Sequence, residues 1–165
     1  MLPTTRGAAG LVVTCVALSC AVAAPAVARL PTAVIGTGRV QATTVLVTSS
    51  RRTVYVYTGD HNGRSSCNGG CLSGWKPVLT AGKPVASKGS GVNQKLLGIT
   101  RRSNGQLQVT YDRRPLYTNA DDHGPGQDYG QFCPGTTGGH WFIVNKNGTP
   151  NKTLLGSNPM CNSGY

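Results

Sequence analysis

Thr53-Val54-Tyr55-Val56-Tyr57-Thr58-Gly59-Asp60-His61 carries the strongest structural signal in the chain. Its first five residues are all β-branched or aromatic, and Ser49-Ser50 and Gly59-Asp60 bound them, the pattern of a short strand running into a turn. Alternate side chains of a strand share a face, so Tyr55 and Tyr57 point one way and Val54 and Val56 the other. The aromatic pair carries more apolar area and is expected inward, with the valines outward. The stretch recurs without gaps as Tyr117-Thr118-Asn119-Ala120-Asp121-Asp122-His123, and each copy leads through Gly-rich sequence to a tryptophan, Trp75 or Trp141. Tyr117 is therefore expected inward as well, and Asp60 and Asp122, just past the strand ends, are candidate partners for the buried hydroxyls.

Working outward, Gln106–Tyr111 alternates polar and apolar residues, and Leu96–Thr100 is its expected partner across Ser103-Asn104-Gly105. Pro115–Tyr117 opens a further strand, Trp141–Val144 is another, ended by Asn147-Gly148, and Lys83–Gln94 reads as a surface loop. Glycine (23 residues) and proline (10) are abundant and glutamate is absent, which excludes a helix bundle. The expected fold is all-β: a small single domain of short antiparallel strands, built from two pseudo-symmetric copies at about 52–80 and 113–148. All the aromatic residues lie beyond residue 54. The packed body is accordingly placed at 51–148, after a lead-in (29–50) with room for one strand and before a tail (149–165) held by Cys161.

Residues 1–28 read as a secretory signal peptide: Arg6 ahead of an apolar run from Gly10 to Ala24, then Ala26-Val27-Ala28 as the cleavage site. The run is short of the roughly 20 residues that span a bilayer. Ala17-Leu18-Ser19-Cys20 is a weak lipobox, so membrane contact is expected only through lipidation of Cys20. Export leaves four cysteines, Cys67, Cys71, Cys133 and Cys161, which in an oxidising compartment read as disulfides. Three pairings are open; Cys67–Cys71 with Cys133–Cys161 is favoured, and their loops of about 5 and about 29 residues are worth roughly 2 and 3.5 kcal/mol of chain entropy.

Together these features resemble a family of bacterial secreted-repeat proteins, often lipoproteins, with a Y-x-[FWY]-x-x-D motif and no known function. Tyr55, Tyr57 and Asp60 match the motif; Cys67-Asn68-Gly69-Gly70-Cys71, Trp75-Lys76-Pro77, Leu96-Leu97-Gly98, Gln108-Val109-Thr110-Tyr111 and Pro115-Leu116-Tyr117 extend the resemblance over about 52–146. Asn119 stands where the family's second copy usually has an aromatic residue. Cys133 and Cys161 look like additions to the family pattern and hence each other's partners. The resemblance implies a secreted or envelope β domain and no reaction.

Sixteen Lys+Arg against five Asp give a net charge of +11, which loss of Arg6 with the leader lowers to +10. The pairs Arg51-Arg52, Arg101-Arg102 and Arg113-Arg114 flank expected strands. They are either a solvated surface or a binding face for an anionic cell-wall polymer or an envelope protein; export disfavours nucleic acid. A monomer is expected. Asp60, His61, Asp122 and His123 gather the chain's acids and imidazoles. They are either turn-forming residues, each Asp capping the backbone two residues on, or zinc or copper ligands; the loop with Asp121, Asp122 and Asp128 offers oxygens for calcium. His140 reads as a strand-end residue. No nucleophile-elbow, zincin, P-loop or dinucleotide pattern occurs. The expected function is a non-enzymatic secreted or envelope domain that binds a wall polymer, protein or small ligand, with no cofactor expected and a metal ion left open; the alternative is a metal-binding or redox protein using the Tyr/Asp/His turns.

N-terminal analysis of exported protein should find Arg29 first. A diacylglycerol-modified Cys20 would make the protein a lipoprotein instead.

Overall fold

The computed structural model describes Met1, residues 30–154 and residues 156–162. The signal-peptide, Cys20 and Arg29 expectations lie outside the described residues. No helix among those described is long and apolar enough to cross a membrane.

The chain opens with β1 (Val34–Val40) and β2 (Thr43–Thr48), followed by β3 (Tyr55–Tyr57), the one-turn helix α1 (Cys71–Gly74), β4 (Trp75–Pro77) and β5 (Val85–Ala86). Next come β6 (Leu97–Arg101), β7 (Leu107–Tyr111), β8 (Arg114–Pro115), β9 (Tyr117–Asn119) and β10 (Trp141–Ile143), with α2 (Pro159–Asn162) last. The strands form three sheets, ordered β2-β1-β5, β10-β3-β9-β4 and β6-β7-β8. Every pairing is antiparallel except β1 with β5. The expected hairpin forms with Leu97 opposite Tyr111 and Arg101 opposite Leu107.

The start of the packed body is corrected. Residues 34–48 are not a lead-in but a two-stranded hairpin whose Ile35, Val40, Val45 and Leu46 are fully buried. β2 is buried on both faces: Val45 and Val47 join one core cluster and Leu46 the other. The same holds for β3. Its tyrosines point inward as expected, yet Val54 and Val56 are buried as well, against Ile35, Leu46 and Val109 on the opposite side. The sheet carrying β3 and β9 is thus a middle layer between two cores, and both strand faces are apolar for that reason.

Backbone hydrogen bonds join the hairpins to this layer at two three-way junctions. Leu46 N–H donates to the Val144 carbonyl, Val144 N–H to Val54 and Val54 N–H to Leu46, at 2.9–3.1 Å. Val109 N–H donates to Val78, Val78 N–H to Leu116 and Leu116 N–H to Val109, at 2.8–2.9 Å. Val54 and Leu116 each precede a motif tyrosine, and Val78 and Val144 each stand three residues after a tryptophan.

Both favoured disulfides are present, Cys67–Cys71 and Cys133–Cys161. The tail is held by more than Cys161, a second correction. Leu154 is in the core, Gln131 Nε2 donates to the Asn151 and Leu154 carbonyls at 2.8 and 2.9 Å, and Asp128 accepts from Ser157 N–H at 2.9 Å. A buried glutamine without such partners would be costly, so the tail and Gln131 require each other.

The hairpin correction is testable. Leu46→Ala should cost about 2–5 kcal/mol in denaturant unfolding, as a fully buried truncation does; a near-neutral result would restore the lead-in reading.

Candidate functional site

The motif residues assemble around a column of stacked rings. Trp75 and Trp141 stack with centroids 3.7 Å apart and planes 8° from parallel, and Tyr57 stacks on the far side of Trp141 at 4.4 Å. Tyr55 meets Trp75 edge-on at 5.3 Å, and Tyr117 meets Trp141 edge-on at 4.9 Å. Such pairs are worth about 0.5–1.5 kcal/mol each beyond the area they bury. The sheet register sets this arrangement. Tyr55 lies opposite Tyr117, Trp141 opposite Tyr57, and Trp75 opposite Asn119, the residue aligned with Tyr57. Beyond Trp75 the backbone of Gly130 occupies the place a further ring would take: a Cβ there would sit 2.4 Å from Trp75. Gly135 seals the other end, where a Cβ would lie 2.2 Å from Tyr57.

The tyrosine hydroxyls find the expected carboxylates, crosswise. Tyr55 OH donates to Asp122 Oδ2 at 2.7 Å, and Tyr117 OH to Asp60 Oδ2 at 2.8 Å. Tyr57 OH bonds Thr137 Oγ1 at 2.9 Å and donates to the Gly138 carbonyl. Burial, then the charge of the facing aspartate, pushes the Tyr55 and Tyr117 hydroxyls well above their ordinary range, so both stay protonated and donate. Burial also raises the Asp60 and Asp122 carboxyls. Their hydrogen bonds oppose this, from Ser66 and Tyr117 on Asp60 and from Tyr55 and Tyr129 N–H on Asp122.

The aspartates are not simple turn formers. Asp60 Oδ1 accepts from Ser66 N–H at 2.8 Å, and Asp122 Oδ1 from Tyr129 N–H at 3.0 Å, so each spans a loop of six or seven residues rather than two. Among the described residues no three His, Cys, Asp or Glu side chains group to hold a metal ion. The physical reason is orientation. The Asp60 and Asp122 carboxylates turn inward onto tyrosines, while His61 and His123 are exposed. Asp128 is likewise engaged, by Gln41 Nε2 and Ser157 N–H, so the proposed calcium loop does not gather. His140 stands at a strand end, its N–H on Thr58 Oγ1 at 2.8 Å.

The basic pairs divide. Arg102 is buried and structural. Its guanidinium donates to the Cys67 carbonyl, Asn68, Ser65 and Gln108, tying the disulfide loop to β7. Arg52 donates to the Asn119 carbonyl. Arg51, Arg101, Arg113 and Arg114 are exposed. A cleft of about 580 Å³ opens beside Tyr57 and Asp60, with Thr58, Asn62 and Gly63 on one wall and Asp112, Arg113, Arg114 and Pro115 on the other. Asp112 and Arg113 form the two-residue turn between β7 and β8 with φ of 48° and 61°, the conformation in which Asn-Gly or Asp-Gly is usual. Arg113 thus fills a glycine position. The strand–two residues–strand spacing was the signal for this turn, and the basic pair obscured it.

A family model described as a secreted repeat of unknown function matches residues 98–145, from within β6 to just past β10. It is the family the motifs pointed to, over the part of the chain that holds Tyr117 and Asp122; Tyr55, Tyr57 and Asp60 lie before the matched stretch. The description supports an extracellular or envelope location. No curated protein matches, and no solved structure does.

The buried carboxyls give a pH dependence. A carboxyl whose pKa is raised on folding binds more protons folded than unfolded between its ordinary and its raised value. Stability therefore rises as pH falls through that interval and is lower above it. Wild type should gain more stability between neutral and mildly acid pH than the Asp60→Asn/Asp122→Asn protein, in unfolding midpoints measured side by side. Parallel profiles would show that the carboxyls are not raised.

Proposed function

We propose that the protein is a secreted, non-enzymatic β domain that binds an anionic polymer of the cell envelope. One observation carries this reading: folding takes the acids inside and leaves the cations outside. Asp122 and Asp128 are buried and Asp60 half-buried, so only Asp112 and Asp121 are exposed. Against them stand exposed Arg39, Arg51, Arg64, Arg101, Arg113 and Arg114, and Lys76, Lys83, Lys88, Lys95, Lys146 and Lys152. The surface is more one-sided than the composition, and a field of one sign raises the local concentration of a polyanion and its rate of capture. The Asp60 and Asp122 carboxylates each accept from a buried tyrosine hydroxyl, which supports a structural role for them over catalysis.

Retention of the exported protein on immobilised polyol-phosphate wall polymer should fall at least about tenfold between about 50 mM and about 500 mM salt, because exposed charges are screened over that range. Retention that ignores salt, or is matched by an uncharged polysaccharide, would overturn the reading.

A further inference from the structure

The cleft walled by Asn62-Gly63 and Asp112-Arg113-Arg114 has features that diffuse surface charge does not explain. We propose that it is a binding site for a single polyol-phosphate unit, with Arg113 and Arg114 holding the phosphate and Thr58, Asn62 and Asp112 facing the hydroxyls. The proposal rests on the polymer-binding reading and names the site within it.

Four observations carry it. First, both walls are turns in the left-handed region, with φ of 51° and 72° at Asn62 and Gly63 and 48° and 61° at Asp112 and Arg113. They meet closely: a Cβ on Gly63 would lie 3.2 Å from the Arg113 carbonyl oxygen. The cleft is therefore preformed, and binding need not order its walls. Second, an arginine occupies a position where glycine is conformationally favoured, in a chain with 23 glycines. Backbone strain of this kind clusters at ligand sites, and here the residue held at positive φ lines the cleft. Third, the device occurs twice. Arg51, four residues before Tyr55 as Arg113 is before Tyr117, also has φ of 61°. There, however, Arg52 donates to the Asn119 carbonyl, and Arg51 borders two smaller hollows, of about 290 and about 490 Å³. Beside Arg113 the space is open at about 580 Å³, and among the described residues neither Arg113 nor Arg114 has a side-chain hydrogen bond within the protein. Fourth, the chemistry is selective. Guanidinium groups match phosphate oxygens in geometry as well as charge, while the exposed Asp112 carboxylate accepts from hydroxyls and repels a ligand that is anionic throughout. The volume lies in the range of small-molecule sites and admits a polyol phosphate.

Glycerol 3-phosphate is the probe, titrated into the full exported protein and followed by amide shifts. Saturable shifts should appear at Asn62, Gly63 and Asp112–Arg114, and glycerol alone should give none. Arg113→Gly should bind about tenfold more weakly and melt at a higher temperature than wild type, because glycine relieves the left-handed turn; Arg51→Gly should show the same rise in melting temperature. A merely structural Arg113 would give a lower melting temperature. That result, unaltered binding by Arg113→Gly, or the absence of saturable shifts overturns the site. Inorganic phosphate binding as tightly as glycerol 3-phosphate overturns the polyol part, leaving an adventitious ion only. On the polymer, equal loss of retention by Arg113→Gly and Lys95→Gln overturns the cleft and leaves the diffuse-charge reading standing. Saturable shifts without polymer retention support the cleft and sink the polymer.

Discussion

Each of two tyrosine hydroxyls buried beside the Trp75–Trp141 stack is satisfied by a carboxylate from the other half of the chain, Tyr55 by Asp122 and Tyr117 by Asp60, across 67 and 57 residues of sequence. This exchange is the constraint on which the rest of the structure depends. A buried hydroxyl or carboxylate left without its partner costs about 1–3 kcal/mol or more. Neither motif stretch can meet that demand from its own strand and turn, so β3 and β9 must lie side by side before either is stable. Once they do, the register fixes where Trp75 and Trp141 fall, and the rings fill the space between the paired strands. The hairpins then attach through the Leu46–Val144–Val54 and Val109–Val78–Leu116 junctions, whose donors and acceptors are the residues flanking the motif. Local sequence and distant pairing agree at each level, as expected of a chain with one well-separated native state.

Much of this was legible in the sequence. The period-2 pattern marks β3 and the β6–β7 hairpin, Ser103-Asn104-Gly105 marks the turn between its strands, and the relative area of tyrosine and valine marks the inward face. The hairpin of β1 and β2 was missed because aromatic content was used to mark the core. That stretch packs through Ile35, Val40, Val45 and Leu46 with no ring at all, and Gly36 and Gly38 dilute its apolar signal. The valines of β3 were placed outside on the assumption of one core, whereas a middle layer buries both faces. The Asp60 and Asp122 carboxylates are legible as partners for the tyrosine hydroxyls, but the crossing of the pairs is not, because sequence shows neighbours and each tyrosine takes the aspartate of the distant stretch. The arginine pairs were read alike because nothing local separates Arg102, sunk among carbonyls, from Arg101 beside it.

Asn119 holds a particular place in the column of rings: it lies opposite Trp75, as Tyr57 lies opposite Trp141. With asparagine present, Gly130 brings the backbone down onto Trp75, and the Asn119 side chain accepts from Asp121 N–H at 2.8 Å, shaping the turn that delivers Asp122 to Tyr55. Asn119 therefore serves as a turn cap at the point where Tyr57, on the neighbouring strand, supplies a ring.

The same exchange also creates the surface. Of five aspartates, Asp60 and Asp122 are drawn in by tyrosines, and Asp128 by Gln41 and Ser157. Almost every exposed charge left is positive. The basic field and the folded core are consequently one property: freeing the inner acids to neutralise the surface would orphan the tyrosines that hold the sheet. The arginine turns ahead of β3 and β9 obey the same logic, because each sits four residues before a locked tyrosine and is carried to a fixed place by it. The unfolded chain is just as cationic, but only the folded protein presents its charges in a fixed geometry. It can therefore select a ligand by shape as well as by charge.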